Sequence, residues 1–80
     1  MVAADEVRRA LATGAFVPYF QPIVTLATGQ PMGYEALARW RHPSRGLLRP
    51  GTFLPALEAA GLVVPFGWHI LAVVCAQVAA

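Results

Sequence analysis

Eighty residues with a formal charge of +2, six arginines and no lysine set the first limits. A charge this mild gives no support for binding a nucleic-acid polymer, and the single cysteine, Cys75, excludes an internal disulfide and favours the cytoplasm. The length is far below the ~250 residues of an eight-stranded α/β barrel, and a chain this short buries a modest share of its surface.

The first element predicted is a helix from Ala4 to Thr13 within a leading segment 1–14. Asp5 is placed to cap it, Val7, Ala10 and Leu11 share one face, and Gly14 suits the position just past its end. Asp5 with Arg8 or Arg9 supplies charge pairing for a solvated outer face.

A hairpin is expected over 16–40. Phe16 to Leu26 is rich in aromatic and β-branched residues and reads as a strand. Pro18 and Pro22 have no N–H to give a ladder, so one side of this strand is expected to be an edge or to lack a regular partner. Gly29, in Ala27-Thr28-Gly29-Gln30, is free to take positive φ in a turn. A second strand from about Met32 to Trp40 then returns antiparallel.

Arg41 to Gly51 is expected as a loop, and a helix over 52–61 as its continuation, capped by Thr52, with Pro55 in its first turn and Gly61 at its end. Val63-Val64 fits a brief buried strand or a linker. The last helix is expected over 68–80, apolar nearly all round and so buried on more than one side. The uncharged stretch Ala59 to Ala80 has a length that spans a bilayer. Pro65, Gly67, His69, Gln77 and the weak apolarity of its alanines argue instead for a buried helix cut short by the chain end. No basic stretch followed by an apolar one opens this sequence, so no signal peptide is expected in it.

Alternation on the second strand puts Gly33, Glu35, Leu37 and Arg39 on one side and Tyr34, Ala36, Ala38 and Trp40 on the other. The second set packs against helices. The first sets a carboxylate and a guanidinium about 13 Å apart beside a leucine, a costly face to bury unless its charges are used or paired. A row of carboxylate, apolar ledge and guanidinium suits metal, base and phosphate; a wet face of a two-stranded sheet is the plainer alternative. Gln21 is open in the same way, between ligand contact and edge polarity. Arg41, Arg45, Arg49 and His42 form an acid-free loop, either solvated or steering an anion. His69 and Cys75 read as core or subunit-facing residues.

The ordered run Phe20-Gln21-Pro22-Ile23-Val24, Thr28-Gly29, Gly33-Tyr34-Glu35-Ala36-Leu37-Ala38-Arg39-Trp40 resembles the opening of EAL domains. So does its continuation through Arg41-His42-Pro43, Gly46, Pro50, Phe53-Leu54-Pro55, Glu58, Gly61-Leu62 and Gly67-Trp68. The resemblance implies an α/β fold: an incomplete N-terminal part of a modified TIM-like (β/α)8 barrel whose first strand runs antiparallel to the rest. It implies hydrolysis of cyclic-di-GMP to the linear dinucleotide, with magnesium or manganese as cofactor. By the same resemblance Glu35 is a metal ligand and catalytic residue, Leu37 a nucleotide contact, Arg39 a phosphate contact and Gln21 a ligand contact. Glu58 matches a family glutamate expected to fix loop structure through hydrogen bonding.

Only Asp5, Glu6, Glu35 and Glu58 are acids here, whereas hard divalent metals take several oxygen ligands. The chain alone is therefore expected to be inactive, a fragment of a phosphodiesterase, with open sheet edges that invite self-association. A non-catalytic module that binds cyclic-di-GMP or protein is the alternative, with a small membrane-associated protein behind it.

Overall fold

The computed structural model describes residues 2–79. Its elements run α1 (Ala4–Ala12), β1 (Phe16–Val24), β2 (Pro31–His42), β3 (Gly46–Leu48), α2 (Pro50–Ala59) and α3 (Val63–Ala79). The strands form one antiparallel sheet in the order β1-β2-β3, and the helices pack on one face of it.

Ala3, not Asp5, flanks the start of α1, and the Glu6 carboxylate reaches back to accept the Ala3 N–H at 3.3 Å. Asp5 lies in the first turn, where its charge favours the helix dipole, and meets Arg8 at 3.3 Å on an exposed surface. Both α1 and α2 end in the same six-residue wrap. Ala15 N–H donates to the Ala10 carbonyl at 2.9 Å and Leu62 N–H to that of Leu57 at 2.8 Å. The closing residues, Gly14 and Gly61, hold φ of +74° and +70°, which glycine adopts without strain.

The hairpin forms as the sequence predicts, with Gly29 at φ +70° in its turn. Arg41 N–H donates to the Ala15 carbonyl at 2.9 Å, which sets the parity of the ladder. Odd-numbered residues of β1 therefore bond to β2, while Pro18, Pro22 and the Phe16 carbonyl look out from the open side. His69, expected as a core or subunit-facing residue, is half-buried and its Nε2–H donates to that carbonyl at 2.8 Å, tying α3 to the edge of β1.

Four further expectations are corrected. The segment after Trp40 is not all loop: β2 continues to His42, and Gly46–Leu48 returns along it, pairing Arg41 with Leu47 and His42 with Gly46. Gly46 at φ +75° makes that reversal possible. Helix α2 starts at Pro50, with Arg49 flanking it, so Thr52 is its third residue and Pro55 lies past the first turn. Proline is preorganised for a helix start, and Pro50 takes that role. Val63 and Val64 are neither strand nor linker but the first turn of α3, where Pro65 also needs no N–H partner. The expected Ala80 end of that helix lies outside the described residues.

The fourth concerns burial of α3. Only Phe66 is buried, while Val64, Trp68, Leu71, Cys75 and Val78 are exposed. A sheet of three strands is too narrow to cover an all-apolar helix. Its C-terminal half stands off Tyr34 and Ala36 across a groove of about 390 Å³.

The core is the even-numbered face of the hairpin closed by the helices. Phe16, Phe53, Leu57 and Val7 are fully buried, with Trp40, Ala10 and Phe66 beside them. Phe16 is the hub, its ring 5.4 Å from Trp40, 5.0 Å from Phe53 and 5.1 Å from Phe66. Each such pair contributes roughly 0.5–1.5 kcal/mol beyond area burial.

Candidate functional site

With one face of the hairpin committed to the core, the odd-numbered face is free. The register sets Gln21 opposite Glu35, Tyr19 opposite Leu37 and Val17 opposite Arg39. Side chains directly opposite stand about 5 Å apart at Cβ. Glu35 and Gln21 are both exposed, while Leu37 and Arg39 are half-buried. Gln21, Glu35, Leu37 and Arg39 therefore lie on one surface, in the order carboxylate and amide, leucine, guanidinium. Arg39 is already oriented: its Nη1 donates to the Ala38 carbonyl at 2.8 Å.

Two further residues share this surface. Arg41, read from the sequence as part of a loop, is the last odd-numbered residue of β2, so it extends the row past Arg39. Its guanidinium lies 5.9 Å from the centroid of the Tyr19 ring, in the range of a cation–π contact. The strand parity that grouped Glu35 with Arg39 contains both, once β2 is carried two residues beyond Trp40.

His42, on the opposite parity, does not join them. Its Nδ1 accepts the backbone N–H groups of Ser44 at 3.2 Å and Arg45 at 3.1 Å. The proton is therefore on Nε2, which donates to Glu6 Oε2 at 3.3 Å. The ring fixes the β2–β3 turn to α1. The Ala3 N–H, then this contact, hold the Glu6 carboxyl below the ordinary carboxylate range. Arg45 and Arg49 lie outside the odd-numbered surface, in the turn and at the start of α2. The Glu58 backbone carbonyl accepts the Gly61 N–H at 3.1 Å, a bond that does not involve its side chain.

The donor chemistry of Glu35 and Gln21, a carboxylate beside an amide oxygen, is the kind hard divalent cations take. The number is short of such a cation's needs. No group of three or more His, Cys, Asp or Glu side chains comes together among the described residues.

The edge strand, paired antiparallel to a carboxylate-leucine-arginine strand under a helical layer, has the arrangement expected for the opening of an EAL domain. Comparison agrees: the EAL domain model matches residues 4–80, and the chain belongs to that family. It is 43% identical over 72 residues to MucR of Pseudomonas aeruginosa, a bifunctional diguanylate cyclase/cyclic di-GMP phosphodiesterase, covering 90% of this chain and 10% of that protein. A Mycobacterium tuberculosis H37Rv protein is 43% identical over 75 residues, 94% of this chain and 24% of that one. Among solved structures, the MucR phosphodiesterase in complex with c-di-GMP superposes with a TM-score of 0.73 at 44% identity, over 81% of this chain and 27% of that one. The EAL enzyme Bd1971, bound to cAMP and cyclic-di-GMP, gives 0.72 at 34% identity, over 80% of this chain and 17% of that one. The chain thus spans a quarter or less of these curated relatives. No helix among the described residues is long and apolar enough to cross a membrane.

Proposed function

We propose that this chain supplies the β1–β2 wall of a cyclic-di-GMP phosphodiesterase site, which hydrolyses one phosphodiester bond to leave the linear dinucleotide. The observation that carries the reading is the common surface of Gln21, Glu35, Leu37 and Arg39. Glu35 gives one carboxylate to a divalent metal, magnesium or manganese, with the Gln21 amide beside it and in reach of the ligand. When bound, such an ion polarises a phosphoryl oxygen and lowers the pKa of a bound water.

The chain's own residues bind and orient. Arg39 offers its remaining N–H groups to a phosphodiester, and its bond to Ala38 limits the rotamers it must give up on binding. Leu37 is an apolar ledge against which a base or ribose excludes water. With Glu35 the only acid on this surface among the described residues, the chain alone turns over no cyclic-di-GMP; the remaining oxygen ligands come from elsewhere in a complete barrel.

Paramagnetic Mn²⁺ titrated into the isotopically labelled chain tests the reading. Broadening that begins at Glu35 and Gln21 and is lost in Glu35→Gln supports it. Broadening centred on Asp5 or Glu58, with Glu35 untouched, refutes it.

A further inference from the structure

Arg41 is a cation on the site surface with no carboxylate partner among the described residues. Asp5 pairs with Arg8, and Glu6 with His42. Glu58 lies on α2 and Glu35 lies at the far end of the row. Strand geometry sets the Arg41 Cα about 13 Å along β2 from that of Leu37, the residue facing Tyr19. The ring and guanidinium nevertheless meet at 5.9 Å. The two side chains lean toward each other along the surface, over the Val17–Arg39 pair between them. Among the described residues no hydrogen bond engages the Arg41 guanidinium, so its N–H groups remain to recognise a phosphate while the ring stands beside it.

Accepting the phosphodiesterase reading of this surface, on which the step rests, we infer that Arg41, held by Tyr19, binds the second phosphodiester of the cyclic dinucleotide. Arg39 takes the first. A cyclic dinucleotide has two anionic phosphodiesters, and the row has two guanidiniums in sequence with an apolar ledge below them. Arg41 is then a determinant of selectivity for a doubly charged ring over a singly charged diester.

The test uses the full chain and follows ³¹P line broadening of cyclic-di-GMP against dimethyl phosphate, a diester with one charge. Arg41→Ala is expected to weaken cyclic-di-GMP binding about tenfold, the scale of one charged hydrogen-bonded contact, and dimethyl phosphate much less. Tyr19→Ala should reproduce part of the loss, and Tyr19→Phe, which keeps the ring face, should restore binding. Arg49→Ala, at the start of α2, serves as a control for general charge attraction. Equal weakening of both diesters by Arg41→Ala, or equal effects of Arg41→Ala and Arg49→Ala, would overturn the inference.

A second measurement does not depend on the affinity of the chain alone. Residues 4–80 are grafted in place of the matching segment of the MucR phosphodiesterase. There Arg41→Ala should raise KM for cyclic-di-GMP about tenfold with a much smaller change in kcat, as for loss of uniform binding. A KM within twofold of the parent, in a graft that still needs Glu35, sinks the role of Arg41 and spares the phosphodiesterase reading. A graft indifferent to Glu35→Gln sinks both.

Discussion

Gln21 and Glu35 face each other across the β1–β2 ladder, on the side of the hairpin that the helices leave open. That pairing follows from the turn together with an irregularity just inside it. Gly29 at φ +70° closes the hairpin with Val24 opposite Pro31, and a one-residue shift before the Ile23–Gly33 pair brings the two odd-numbered rows onto one surface. A slip of one residue would send one strand's row to the core side. The aromatic hub on the even-numbered face prevents such a slip, because it would expose Phe16 or Trp40.

The surface role of Glu35 predicts a separation of stability from binding. Glu35→Gln should change unfolding free energy by less than about 0.5 kcal/mol, since the side chain is exposed and away from the core. Denaturant titration checks this. A loss of several kcal/mol would make Glu35 a structural residue.

Phe16→Ala should have the reverse effect. Its ring touches three other aromatic rings at full burial, and such truncations cost roughly 3–5 kcal/mol. In a core this small that loss is expected to abolish the cooperative transition in circular dichroism.

Gly61→Ala is expected to cost about 1 kcal/mol, because φ of +70° places a Cβ in the left-handed region. Beyond its chain neighbours no atom lies within 4 Å of where that Cβ would stand, so the cost is local backbone strain, not a clash with the surrounding fold. A comparable loss at Gly51, which has no positive φ, would contradict the explanation.

Acid should loosen the link between α1 and the β2–β3 turn. The Ala3 N–H and the His42 contact lower the Glu6 pKa in the folded state. Its contribution is therefore fully present above the unfolded value of about 4.3 and is lost as pH falls through the lower folded one. Glu6→Gln should flatten this part of the stability profile below about pH 4.3. An unchanged profile would show that the contact carries no linkage.

The hairpin and its two faces were legible because strand alternation, Gly29 and two prolines all pointed to the same arrangement. The helix starts were less so. Pro50 falls in the segment expected as loop and Pro65 ahead of the expected last helix, yet proline at the first turn of a helix lacks only a donor that has no partner there. The strand Gly46–Leu48 is too short to show alternation, and its pairing depends on a turn held by the Nδ1 of His42, a contact no sequence spacing reveals. Missing that strand hid the length of β2, and with it the place of Arg41 beside Tyr19. The exposed apolar side of α3 reads as burial in the sequence because side-chain polarity reports what a helix needs to cover, not what this sheet covers.

The phosphodiesterase reading meets its most direct trial in the turnover of cyclic-di-GMP by the MucR phosphodiesterase carrying residues 4–80 of this chain. Metal-dependent release of the linear dinucleotide, abolished by Glu35→Ala and by nothing as mild as Arg49→Ala, is the expected result. Undiminished turnover in the Glu35→Ala graft would contradict it, and the open face of the hairpin would then have no part in the chemistry.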